Sequence, residues 1–257
     1  MKKIFTYVVL MMSMCLLTAC PNDDDDDEGG ARANTPSKPF AGYWKIKLEK
    51  GTTNMLFYNE GKLLHNGKEF IWNYDEKNQL LSTTDNDYQW EVTLADSTAW
   101  SGIALWGSKS SVTNYRAEAR ETAKQILTGR EWIYNDTVWK FVSDYDSNYK
   151  LKYKSGDNER YLYNRDGFDV SSVKESIKQG RINIKAGYTD HDYSGYWTGN
   201  SQIIATVSGV CNIRIDNPYS YDNVRVTCHL TYRYVSSTGE VKSNTSKDMV
   251  LKPKARK

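Results

Sequence analysis

Histidine, cysteine and long apolar runs are all scarce in this chain, and each shortage closes off a class of function. Three histidines in 257 residues leave few bases for nucleophile-histidine chemistry. Asp190-His191-Asp192 has the residue types of a metal ligand set, but no second spaced cluster accompanies it. Of the four cysteines, Cys15 and Cys20 belong to the leading segment, so only Cys211 and Cys228 can serve the folded part. Nothing after the leading segment is apolar for the roughly 20 residues that a membrane-spanning helix needs. A dominant charge sign is missing too. From residue 31 onward 32 basic residues face 26 acidic ones, scattered and without a Lys/Arg block before the last few positions, which leaves nucleic-acid binding unsupported. Ser171-Ser172-Val173-Lys174 has a Ser-x-x-Lys spacing, yet Ser172 with Glu175 makes an equally good helix capping box, and no Ser-Asp-Asn or Lys-Thr-Gly follows. No cofactor motif and no catalytic set are recognised. A carboxylate pair assembled only by folding is the one hydrolytic arrangement that spacing leaves open.

What is present begins with Lys2 and Lys3 ahead of an apolar stretch from Ile4 to Leu17, the layout of an export signal. The segment ends in Leu17-Thr18-Ala19-Cys20, which resembles the lipobox of bacterial lipoproteins. The resemblance implies that residues 1–19 are a signal peptide and that Cys20 is lipidated, giving a stable outer-membrane anchor when several acyl chains share one residue. Asp23, Asp24, Asp25, Asp26, Asp27 and Glu28 follow at once. Their position and charge resemble the export signal that carries Bacteroidota lipoproteins to the cell surface. A self-repelling solvated spacer, with the protein on the periplasmic face, is the alternative. Residues 20–39 as a whole then read as lipidated cysteine, acidic run and flexible linker.

Aromatic residues are abundant: the chain has eight Trp and nineteen Tyr, 13% of it with Phe included, and all of the Trp and all but one of the Tyr lie beyond the linker. They recur with period two. Trp44, Ile46 and Leu48 alternate with Tyr43, Lys45 and Lys47, and Tyr88, Trp90, Val92 and Leu94 alternate with Gln89, Glu91 and Thr93. That is the pattern of half-buried strands. Asn59-Glu60-Gly61 and Asn66-Gly67 supply tight turns. Residues 40–108 are therefore an antiparallel meander of six strands. Phe40-Ala41-Gly42-Tyr43-Trp44-Lys45 resembles the Gly-x-Trp opening of lipocalin-like domains in Bacteroidota lipoproteins, and Tyr88 to Leu105 resembles their closing hairpin. Residues 109–128 read as a connecting helix, capped by Asn114, with Tyr115, Ala119, Thr122, Ile126 and Leu127 near helical spacing and Gly129 as its stop. Residues 129–257 hold many strands and a short helix from Ser172 to Gln179. The expected fold is mainly β: a lipocalin-like partial barrel plus a second β-sandwich-like domain, joined by one helix.

Four groups of residues are candidates for function or covalent chemistry. Tyr188, Tyr193, Tyr196 and Trp197 interleave with polar residues and glycines where no strand pattern demands apolar side chains, so they can bind a glycan or a protein partner, or pack on one another in a loop. Cys211 and Cys228 both lie in phase with core residues. A hairpin with Cys211 opposite Cys228, Ile213 opposite Val226 and Ile215 opposite Val224 would allow a disulfide, and two buried thiols are the alternative. Asp96-Ser97-Thr98 and Asp136-Thr137-Val138 resemble the short O-glycan acceptor of exported Bacteroidota proteins, which marks Ser97 and Thr137. The expected partners are the membrane, through the anchor, and a glycan or an envelope protein.

Overall fold

The computed structural model describes residues 40–255, apart from 49, 86, 106–108, 146–147, 156–157, 162–167, 195–198 and 200–201. Eight strands make a closed antiparallel barrel: β1 (Gly42–Leu48), β2 (Gly51–Phe57), β3 (Lys62–His65), β4 (Lys68–Asp75), β5 (Leu80–Thr83), β6 (Gln89–Ala95), β7 (Ala99–Ala104) and β8 (Ser111–Arg116). Each strand pairs with the next. β8 returns to β1 through Trp44 opposite Arg116 and Lys45 opposite Tyr115, which closes the ring. The Asn66-Gly67 turn works as expected, with both residues at positive φ (48° and 76°), the conformation a two-residue hairpin requires. Period two decides the interior. Trp44, Trp72, Trp90 and Trp100 all point inward and are fully buried, with Phe40, Ile46, Met55, Phe57 and Leu63 among them. Phe40 meets the rings of Tyr74 and Trp100 edge-on, at 4.7 and 5.6 Å. The interior is a packed core.

Among the described residues, nine more strands follow the helix α1 (Ala119–Thr128). They are β9 (Glu131–Tyr134), β10 (Thr137–Tyr145), β11 (Asn148–Ser155), β12 (Asn158–Tyr161), β13 (Phe168–Ser176), β14 (Arg181–Ser194), β15 (Gln202–Asp216), β16 (Arg225–Ser236) and β17 (Val241–Pro253). The sheet order is β10-β9-β17-β16-β15-β14-β13-β11-β12, and β10 also pairs with β11. That last pairing bends the sheet round into a second ring of eight strands, with β12 lying beside β11. The expected sandwich is thus a barrel-like ring. Four of its strands, β14 to β17, run 12 to 15 residues, whereas β9 and β12 have four each.

The two rings share a core. Tyr43, Leu56, Tyr58 and Leu64 point out of the first barrel, and all are buried in one cluster with α1 and the interior of the second. The β1–β3 wall is therefore apolar on both faces. The helix supplies Ala123, Ile126 and Leu127 to the same cluster, so it is the filling between the rings. Both barrels belong to one compact unit.

Several expectations are corrected. The meander has eight strands and closes; the eighth, β8, lies inside the stretch expected to be helix. Ladders on both sides, to β1 and β7, override the near-helical spacing of Tyr115 with the residues after it. The helix itself is shorter, and Asn114 is a buried strand residue rather than its cap. Ser172 to Gln179 is mostly the second half of β13. A bulge between Val170 and Ser172 changes the inward-facing phase, so that Val170 and Val173 come three apart and imitate a helix.

Candidate functional site

The closest built chemistry lies where the rings meet. The turn between β15 and β16 carries Tyr219, Ser220 and Tyr221 onto the first barrel. The Asn59 N–H donates to the Tyr219 carbonyl at 2.9 Å, while the Glu60 carboxylate accepts from the Ser220 hydroxyl and, at 2.9 Å, from the Tyr221 N–H. Arg130 donates to the Tyr221 carbonyl at 2.7 Å and to the Tyr58 hydroxyl at 3.1 Å. Lys62 sits over the Tyr221 ring at 3.7 Å. Deeper in, Arg116 from β8 lies over the Tyr219 ring at 4.9 Å and pairs with Glu175 of β13 at 3.4 Å. The Tyr219 hydroxyl also donates to Glu175. Burial pushes the Tyr219 pKa far above the usual phenol value; Arg116 opposes that shift and Glu175 adds to it, so the hydroxyl keeps its proton. Most of these groups satisfy one another, while Arg116 Nε is buried without a hydrogen-bond partner. The charges in the adjoining grooves, of about 770 and 490 Å³, are also largely spoken for: Lys254 pairs with Glu131 at 2.6 Å, and Glu69 accepts from the Tyr221 hydroxyl at 2.7 Å. The seam is a joint.

A second polar cluster lies at the end of the first barrel away from the seam. His65 is buried and both its ring nitrogens have partners, Thr53 Oγ1 at 2.9 Å and Tyr88 OH at 3.0 Å. Burial lowers its pKa, so the neutral ring is favoured. Among the described residues no group of three His, Cys, Asp or Glu side chains could hold a metal ion. His191, on β14, is exposed and lies 3.2 Å from Thr206 Oγ1.

The expected aromatic cluster divides. Tyr188 is buried on the inner face of β14, edge-on to Phe168 at 5.3 Å, and its ring lies against Gly209. It is a core residue and is withdrawn as a ligand contact. Tyr193 belongs to β14 by its backbone, and its side chain, like Tyr196 and Trp197, lies outside the described residues. Among the described residues, the same end of the second ring shows apolar exposure. Ile203 and Ile204 at the start of β15, and Val241 at the start of β17, are 46%, 44% and 44% exposed. The Ser237 N–H donates to the Ile204 carbonyl at 2.8 Å, which ties the two hairpin ends together. Because the β15–β16 turn rests on the first barrel, these ends point to the opposite side of the second.

The remaining candidates are placed as follows. Cys211 faces Leu230, and Cys228 faces Ile213, so the register is two residues from the expected one and the cysteines are diagonal neighbours. Both thiols are free and buried. Contact with Cys211, then burial, pushes the Cys228 thiol well up, which suits an inert core pair. Ser97 is exposed in a turn whose Asp96 carboxylate accepts from the Thr98 N–H at 2.6 Å, and Thr137 is half-buried at the start of β10. Cys20 and the acidic residues Asp23 to Glu28 lie outside the described residues. No described helix is long and apolar enough to cross a membrane. The fold and its surfaces define a mainly β protein of two barrel-like rings around a shared core. Comparison with protein-family models, curated proteins and solved structures finds no match.

Proposed function

We propose that the chain is a lipoprotein of the outer membrane, anchored through Cys20 and facing the cell exterior. It acts as a non-catalytic binding module for a glycan or a protein partner. The Leu17-Thr18-Ala19-Cys20 sequence and the acidic run support the anchor and its orientation. The closed, up-and-down eight-stranded first ring, fuller than the partial barrel expected from the sequence, supports a lipocalin-like reading. Its interior is filled by tryptophans, so binding falls to the outer surfaces. The observation that carries the reading is the exposure of Ile203, Ile204 and Val241 at the ends of adjacent long hairpins. Clustered exposed apolar groups on an otherwise polar surface mark interaction sites.

Two experiments test this. Palmitate labelling is expected in the native protein and lost in Cys20→Ala. Protease treatment of intact cells should remove the protein while a periplasmic marker survives. Protection until the outer membrane is opened would overturn the surface placement, and a structural or accessory role on the periplasmic side would then lead.

A further inference from the structure

We infer that the outer face of β6, β7 and β8 is a subsite for a neutral saccharide, with Tyr115 as its stacking platform. The inference rests on the binding-module reading and adds to it a second surface, on the first barrel and separate from the exposed hairpin ends, with a stated ligand class.

The strand geometry dictates the surface. Val112 and Asn114 fill the interior positions of β8, so Ser111, Thr113 and Tyr115 point outward. On β7 the partner of Thr113 is Ser101 and the partner of Ser111 is Ile103. Thr93 stands alongside on β6. Tyr115 is 58% exposed, the only aromatic among the described large apolar residues with high exposure. Together these residues bound a groove of about 490 Å³, with Tyr115 and Ile103 as walls and Thr93, Ser101 and Thr113 as floor. From Ser111 to Tyr115 it extends about 14 Å along the strand, room for a short oligosaccharide.

The chemistry of the lining selects the ligand. Ser101 Oγ and Thr113 Oγ1 lie 3.2 Å apart, and Thr93 Oγ1 donates to the Ser101 carbonyl at 3.1 Å. Hydroxyls both donate and accept, so this floor can trade its own bonds for those of sugar hydroxyls with little net cost. A phenol ring offers an apolar plane for the C–H face of a pyranose and a polar tip for its edge. Lys47 is the one charged residue in the lining, too little to compensate a polyanion and consistent with an uncharged ligand. The seam grooves differ: they are lined by several charged groups, of which Lys254 pairs with Glu131 and Arg130, Lys62 and Glu69 engage neighbouring tyrosines.

The test uses the chain from residue 20 onward, titrated with cellohexaose, xylohexaose and, as a charged counter-probe, hyaluronan hexasaccharide. Saturable binding of a neutral hexasaccharide is expected, with amide shifts at Ser101, Thr113 and Tyr115. Tyr115→Ala should weaken it about tenfold, the worth of one stacked aromatic, while Tyr115→Phe, which keeps the ring, stays close to the parent. Unchanged melting of both variants confirms that they fold. Binding unaffected by Tyr115→Ala overturns this site and leaves the binding-module reading standing. Preference for hyaluronan overturns the neutral-saccharide assignment. No binding of any probe overturns the subsite, and protease shaving then decides the broader reading separately.

Discussion

The first barrel carries its own core, and the second does not. Among the described residues, the buried side chains of the first ring's core come from β1 to β8 or from Phe40 just before them. The core of the second ring includes Ala41, Tyr43, Leu56, Tyr58 and Leu64 from the first barrel and Ala123, Ile126 and Leu127 from α1. Strand length tracks this difference. The first barrel uses strands of four to eight residues, short enough for one layer of aromatics to fill. The second combines strands of up to 15 residues with others of only four. Uneven strands leave an opening at the short side, and the helix with the β1–β3 wall fills it. Closing a ring of hydrogen bonds is thus not the same as completing a core.

The strongest way to break this comparison is to separate the rings. A fragment from residue 119 to 257 is expected to lack a cooperative thermal transition, because its core has lost a wall. A fragment from 40 to 117 should retain a folded interior, seen as dispersed amide resonances, but should self-associate through Tyr43, Leu56 and Leu64. Independent folding of the larger fragment would remove the asymmetry.

Next in size is the seam. Glu175→Gln leaves Arg116 without its countercharge where both side chains are about nine-tenths buried, and should cost about 3 kcal/mol in urea unfolding. A cost near zero would mean that the aromatic contacts alone hold the joint.

A matched pair of glycines sharpens the comparison further. A methyl added at Gly102 would lie 2.3 Å from the Glu91 carbonyl oxygen, and one added at Gly209 would lie 2.2 Å from the Tyr188 ring. Each alanine substitution should cost about 2 kcal/mol through overpacking. Because the second core depends on the first barrel, Gly102→Ala should destabilise both rings. Gly209→Ala should loosen mainly the second, read by residue-resolved hydrogen exchange.

The smallest effect expected is a pH dependence that originates in the first barrel. Burial holds the His65 pKa below its ordinary value, so the folded state binds that proton less well than the unfolded chain. Stability is therefore full above about pH 6.5 and is lost as pH falls through that value toward the lower folded pKa. The destabilisation caused by His65→Leu should accordingly shrink between pH 8 and pH 5. A constant difference in melting temperature would show that His65 does not titrate differently on folding.

Much of the first barrel was legible because its signals are local. Asn66-Gly67 marks a hairpin whatever surrounds it, and Trp90 and Val92 alternate with Glu91 and Thr93 as a one-sided strand should. The errors fall where distant partners decide. Tyr43 looked like the wet face of β1, since nothing nearby shows that α1 will cover it. Tyr115 fitted a helical stripe until pairing with Lys45 and Ala99 turned it outward, so the saccharide groove was hidden by the same misreading. Among the ligand candidates, Tyr188 continues the inward phase of Ile182, Ile184 and Ala186 along β14, and Gly209 opposite leaves room for its ring. The phase of Cys211 and Cys228 with their core neighbours is legible in the sequence, but their two-residue offset depends on the length of the Asn217–Asn223 turn, which packs on the first barrel.

The dependence of one ring on the other is tested most directly by pulse-labelling hydrogen exchange across a urea series on the chain from residue 20 onward. Loss of protection in β14 to β16 should occur at or before its loss in β1 to β3, at every urea concentration. A state with β14 to β16 protected while β1 to β3 exchange freely would contradict the shared core.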